Sequence, residues 1–298
     1  MAASYDFVQF DVFTQTPLAG NPLAIFIDAR GLTDKQMQAL SREMNLSETA
    51  FILPREPSIE AREGKRVRIF NVEEELPFAG HPTLGTALYI YSTANSSPEQ
   101  IVLDLNAGKI PVTFRVDSEE AGLDHADGQV FGQMQQRDPE FGPVLSREKV
   151  AEELGLNVDD LDPERPIQVP FAIAPFRDSK RLAKFQPDIA KARRLLDGTE
   201  ARFFYFICPE RMENRGIRAR MFFYGGEDPA TGSAAGCAAA WMAKYGIAKS
   251  GEQILIRQGV EAGRPSEIFV SAKCQGDRVT SVRVSGYAVE LLQGTVTL

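Results

Sequence analysis

The stretch GEDPATGSAAGCAAAW, residues 225–240, decides how this chain is read. Asp228 is a good helix N-cap, and Pro229 suits a first helical turn, where no backbone N–H is needed. From Ala230 to Ala243 no side chain is charged, and most are Ala, Gly or Ser. A helix that is apolar all round is a buried helix. Its N-terminus, with unpaired N–H groups and the positive end of the dipole, must then point at something.

A second copy of the motif lies about half a chain earlier. GHPTLGTALYIY (80–91) aligns with EDPATGSAAGCA (227–238), so that His81 meets Asp228, Pro82 meets Pro229, Gly85 meets Gly232 and Thr86 meets Ser233. The first copy is also free of charge from His81 to Tyr91. Each copy follows a strand-like segment bearing arginine, VRIF (67–70) and RARMF (218–222). A weaker echo lays NPLAIFIDA (21–29) over VPFAIAPFR (169–177). Repeats of this kind mark duplicated structural units. The expectation is an α+β chain of two pseudo-symmetric domains, each a curled, mostly antiparallel, barrel-like sheet around one buried helix that opens with proline. Read singly, each motif is also simply a good helix start.

Hydrophobic patterning fills in the rest. Strands are expected at 5–13, 23–28, 50–54, 66–70, 101–105 and 110–116, and again at 129–134, 171–176, 203–208, 217–223, 254–258, 267–272 and 279–285. Thr33 with Gln36 forms a capping box that opens a helix over 33–44, and Ser146 and Gly155 bracket another over 147–154. LDLNAGKIPVTF around Gly108 reads as a hairpin. The acidic stretch 117–128 is the linker candidate, placing an N-terminal domain at 1–117, joined by a last strand at 286–298, and a C-terminal domain at 118–285. The site is expected in the cleft between them.

Composition excludes several classes of function. The chain has 298 residues and a net charge of −8, with no run of Lys or Arg, which argues against nucleic acid and anionic membranes as partners. Three scattered cysteines and two histidines offer no zinc spacing and no disulfide framework, so no metal is expected. The first residues, MAASYDFVQFDVF, carry no basic segment followed by an apolar run, and no stretch is long enough to span a bilayer, so a cytoplasmic protein is expected.

Two buried helix N-termini rich in Gly and small hydroxyl residues suit an anion such as a carboxylate. A proton-moving group is then needed, and NLSETAF (45–51) supplies Glu48, directly before the apolar run Ala50–Leu53. A carboxylate at that junction is partly desolvated, which suits general acid–base work. Taken alone, Glu48 also reads as a solvated strand end, His81 as a hydrogen-bonded structural histidine and Asp228 as a plain N-cap.

Together, DVFTQTPLAGNPLAIF, NLSETAF, ELPFAGHPTLGTA, EDPATGSAAG and QGVEAGRPS resemble the phenazine-biosynthesis isomerase (PhzF) family, whose wider relatives share the diaminopimelate-epimerase-like fold. The resemblance runs from about residue 6 to the C-terminus. It implies a cofactor-independent isomerase, a small carboxylate substrate and a homodimer. By the same resemblance Glu48 is the general acid/base, with His81 and Asp228 as catalytic partners and Asn21, Gly80, Gly232 and Ser233 as substrate-binding positions. Epimerase relatives carry a cysteine base at each helix start; here His81 and Asp228 stand there, which disfavours a two-thiol racemase. An amino-acid epimerase and a non-catalytic binding member of the fold are the alternatives. The chain departs from the family at IQVPFAIAPF, which lacks a Ser-Thr-Gly stretch, and at the short loop before GEDPATG.

Overall fold

The structure is a computed structural model that describes residues 3–116, 129–168, 170–210, 216–223 and 226–298. The expected linker at 117–128 lies outside the described residues, as do Val169, Tyr224 and Gly225 in the two short loops. The chain divides into two compact units, Met1–Gln135 with Ser285–Leu298, and Gln136–Val284.

Both units are built on one order of strands. In the first, Asn21–Phe26 runs parallel to Glu48–Ile52, which pairs antiparallel with Lys65–Phe70. That strand runs parallel to Gln100–Leu105, followed antiparallel by Gly108–Val116. The second unit repeats the series: Ala172–Pro175 parallel to Phe204–Pro209, then Gly216–Phe223 antiparallel, Ile254–Gln258 parallel and Ser266–Gln275 antiparallel. Five segments in the same order, with the same alternation of directions, are the structural counterpart of the sequence repeat.

The first unit adds Ser4–Val12, which lies between Asn21–Phe26 and the C-terminal strand Ala288–Thr297. Val130–Gln135 extends the far side by pairing with Gly108–Val116. The division between units therefore falls after Gln135 and not at 117/118, because this strand continues the first sheet. The fold is α+β and diaminopimelate-epimerase-like, with curled, unclosed sheet around each central helix.

The first central helix, Gly80–Ser92, is buried continuously from Gly80 to Leu88 and packs on strands of its own sheet. A Cβ on Gly85 would lie 2.6 Å from Val12 Cγ2 and 2.8 Å from Leu23 Cδ2, so glycine is what lets helix and sheet approach. The second, Gly232–Lys244, is buried except at Ser233, Cys237 and Lys244. Proline does not open either helix. Pro82 is the third residue of the first, tolerated because first-turn N–H groups have no intrahelical partner. Asp228 is not an N-cap: it ends the short strand Gly226–Asp228, and the helix begins at Gly232 after Thr231. The reason is a distant partner: hydrogen bonds from Gln258, described below, pin residues 228–231 as a separate turn.

The arginine strands carry a second trace of duplication. Arg68 binds Glu75 through both carboxylate oxygens, at 2.7 and 2.6 Å, and Arg220 binds Glu227 likewise, at 2.8 and 2.7 Å. Each glutamate comes seven residues after its arginine, on the strand pairing back before the central helix. Arg220 is fully buried and also donates to the carbonyls of Leu182, Ala183 and Phe185, closing the end of the helix Ser179–Lys184. Such a charge is tolerated because every donor finds an acceptor. Arg220→Leu is expected to destabilise the second unit by about 3–5 kcal/mol, since Glu227 and three carbonyls lose their donor. Urea unfolding followed by fluorescence of Trp241, the single tryptophan, measures this; a loss below about 1 kcal/mol would contradict it.

Candidate active site

Glu48 is placed by the elements on both sides of it. The helix Asp34–Met44 opens with the Thr33–Gln36 capping box and closes at Asn45, whose backbone is left-handed with φ 52°. That turn delivers Glu48 as the first residue of the strand Glu48–Ile52, paired in register with Leu23. Asn21 stands two residues before Leu23 on the neighbouring strand and is fully buried. His81 is the second residue of the first central helix and is 4 % exposed.

These three side chains meet. Asn21 Nδ2 lies 3.2 Å from His81 Nδ1, and His81 Nε2 lies 3.6 Å from Glu48 Oε2. The Glu48 side chain is half-buried, at 20 % exposure, so its carboxylate is reachable from solvent while the histidine behind it is not. His81 Nε2 makes no hydrogen bond among the described residues, and neither does the buried hydroxyl of Thr86 on the same helix. A separation just beyond hydrogen-bond reach is common between acid–base groups in ligand-free sites. Burial pulls the His81 pKa down to about 3, and a hydrogen bond to the backbone of Pro22 works the other way, so the ring is neutral at neutral pH.

Neither central helix start is capped by a side chain. Ala79, the N-cap of the first helix, has no side-chain acceptor, and Gly80 follows it, buried. Thr231, the N-cap of the second, makes no side-chain cap either, because its hydroxyl turns back to Asp228. Gly232 and the half-buried Ser233 form the first turn of that helix, and the Gly232 carbonyl accepts from Gln136 Nε2 at 3.0 Å. Glu48, His81, Asn21 and Gly80 belong to the first unit; Asp228, Gly232 and Ser233 belong to the second. The motif QGVEAGRPS gives no role to Gln258 from sequence, nor do Thr231 and Tyr205 stand out there; Gln258 bonds Asp228 and Thr231 in the turn, and Tyr205 bonds Gln258.

Cysteine chemistry does not fit this site. Burial pushes the Cys237 thiol up to about 11 and the Cys208 thiol up to about 12, leaving neither as a thiolate at neutral pH. Among the described residues, no group of three or more His, Cys, Asp or Glu side chains is arranged to hold a metal, and no helix is long and apolar enough to cross a membrane.

The neutral His81 sets a pH dependence of folding. Its pKa is lower in the native protein than the ordinary 6.5, so below that pH the unfolded chain takes up a proton that the native state refuses. The stabilisation is complete above pH 6.5 and is lost as pH falls toward 3. Between pH 7 and 5.5 the wild type is expected to lose about 1 kcal/mol more than His81→Asn, measured by urea unfolding. Equal losses in the two proteins would show that His81 titrates normally.

The family model described as phenazine biosynthesis-like protein matches residues 10–294. The trans-2,3-dihydro-3-hydroxyanthranilate isomerase of Pseudomonas aeruginosa is 35% identical over 98% of this chain and 99% of its own. Among solved structures, a phenazine biosynthesis protein of the PhzF family from Bacillus anthracis superposes with a TM-score of 0.84 at 26% identity, covering 99% of this chain and 100% of that one. A predicted epimerase from Pseudomonas aeruginosa gives a TM-score of 0.79 at 32% identity, covering 98% and 99%. The chain therefore belongs to the phenazine biosynthesis-like, or PhzF, family of isomerases.

Proposed function

We propose that the protein is a cofactor-independent isomerase that moves a proton between two carbons of a small carboxylate, with Glu48 as the group that takes and returns it. Glu48 as carboxylate removes a proton from a carbon made acidic by an adjacent double bond or carbonyl. The C–H electron pair passes into the conjugated system, and the carboxylic acid so formed delivers a proton to the far end. The base is regenerated and no electrons are lost or gained. His81, neutral and tied by Asn21, is a hydrogen-bonding partner for Glu48 and substrate, while Asp228 orients or relays protons from the second unit. In the first unit the uncapped start at Gly80, and in the second the start at Gly232 and Ser233, offer backbone N–H groups that suit a carboxylate.

The observation that carries this reading is the Glu48–His81–Asn21 group: a reachable carboxylate 3.6 Å from a buried imidazole nitrogen without a hydrogen bond. The substrate named for the Pseudomonas aeruginosa relative, trans-2,3-dihydro-3-hydroxyanthranilate, is the first compound to offer. With a turned-over substrate in hand, Glu48→Gln is expected to lower kcat by roughly 10²–10⁴, the span typical of general acid–base catalysis. Its thermal midpoint should stay within a few degrees of wild type, because an amide replaces the half-buried carboxylate without leaving a cavity. A variant that folds and retains near wild-type kcat would place the base elsewhere.

A further inference from the structure

The turn that carries Asp228 is held from behind by a buried amide whose hydrogen bonds are all in use. Tyr205 and Gln258 are fully buried and Thr231 is 6 % exposed. The Tyr205 hydroxyl donates to Gln258 Oε1 at 2.9 Å, and the same oxygen accepts from the Thr231 backbone N–H at 3.2 Å. Gln258 Nε2 donates to the Asp228 carbonyl at 2.7 Å and to Thr231 Oγ1 at 2.8 Å. Two acceptor sites and two donors are the whole capacity of a carboxamide, so Gln258 has one orientation only. Having accepted from Gln258, the Thr231 hydroxyl has a single proton left, and it lies 2.6 Å from Asp228 Oδ2.

Direction along this chain is set at its far end. Burial, followed by the Asp228 charge, holds the Tyr205 phenol well above its usual range, so the hydroxyl is protonated and donates at any working pH. The next residue reinforces the arrangement through the backbone. Gly259 has φ 76°, and a Cβ there would run into the carbonyls of Arg264 and Pro229. Gly259 thus lets the strand end press against Pro229 while Gln258 grips Asp228 and Thr231 on either side of it.

We propose that Gln258, oriented by Tyr205, is a positioning residue that aims the Thr231 hydroxyl at Asp228 and so holds that carboxylate in one rotamer for the reaction. The inference rests on the reading that Asp228 takes part in proton transfer, and it gives the Gln-Gly pair of QGVEAGRPS its role. Thr231 gives up the usual N-cap bond to the helix in order to serve Asp228, which also leaves the first-turn N–H groups of that helix for substrate.

The test compares Thr231→Val, Thr231→Ser, Asp228→Asn and the Thr231→Val/Asp228→Asn double variant in the full chain. Valine keeps the shape of threonine and leaves all bonds of Gln258 except the one to Oγ1. In trans-2,3-dihydro-3-hydroxyanthranilate turnover, Thr231→Val should lower kcat by roughly 10–100-fold, as expected for a lost hydrogen bond to a charged group, with KM changed far less. Thr231→Ser should recover most of the rate, and Thr231→Val should change nothing further once Asp228 is Asn. Equal losses in both backgrounds, or no recovery with serine, would overturn the inference. A readout independent of turnover separates its failure from that of the functional reading. In protein carrying ¹³C-labelled aspartate, the Asp228 carboxyl signal, identified by its absence from Asp228→Asn, should shift or broaden in Thr231→Val and return in Thr231→Ser. A signal unmoved by valine would overturn the positioning role even if the wild type turned over no substrate.

Discussion

Burial of two helices without charge is the constraint from which the rest of the molecule follows. A helix inside a curled sheet has no solvent to satisfy its ends, so its first-turn N–H groups must be capped, buried at a cost or offered to a ligand. Neither central helix is capped by a side chain: Ala79 has nothing to cap with, and Thr231 bonds Asp228 instead. The sheets have to curl because a single helix must be covered on most of its faces, and small residues such as Gly85 set how closely sheet and helix approach. Arginine–glutamate pairs at the same place in both units, half-buried for Arg68–Glu75 and with a fully buried arginine for Arg220–Glu227, tie the strand before each helix to the segment leading into it.

The two units use this plan differently. In the first, the polar residues at the helix start are inside the helix, so His81 is carried on the helix itself and is desolvated to neutrality. In the second, the equivalent Asp228 stands outside the helix, half-buried, on a turn fastened by Gln258 and Gly259. One copy presents a neutral ring next to Glu48, the other a carboxylate held by a fixed hydroxyl. Duplication followed by such divergence leaves a neutral imidazole at one helix start and a carboxylate before the other.

Most of the architecture was legible because its signals are local. The capping box at Thr33 and Gln36, the Ser146 and Gly155 brackets and the alternating strands mark their elements within a few residues of where they lie. Glu48 and His81 are legible through motif and resemblance, but their approach to each other, with Asn21 on the far side of the ring, depends on strand register, which no short stretch encodes. The helix start at Gly232 was misplaced because Asp-Pro is a good local opening, and the competing pull of Gln258 comes from 30 residues away. The short helices Pro57–Glu63, Ser179–Lys184 and Ile189–Leu195 are too brief to show a helical period in the sequence. Val130–Gln135 was found as a strand, while its membership of the first unit is a matter of pairing, not composition.

Where a proton ends up distinguishes migration between carbons from inversion at one carbon and from binding without chemistry. The most direct measurement is incubation of the protein with trans-2,3-dihydro-3-hydroxyanthranilate and other small carboxylates in D₂O, with the deuterium located by NMR. Proton migration through Glu48 predicts a product with a shifted double bond and the transferred hydrogen, the original proton or a solvent deuteron, at a carbon other than the one that lost it, and no such product with Glu48→Gln. Deuterium returned to the original carbon with inverted configuration would identify an epimerase. Tight binding of a carboxylate with no exchange would mean that the fold has kept its site and lost its reaction.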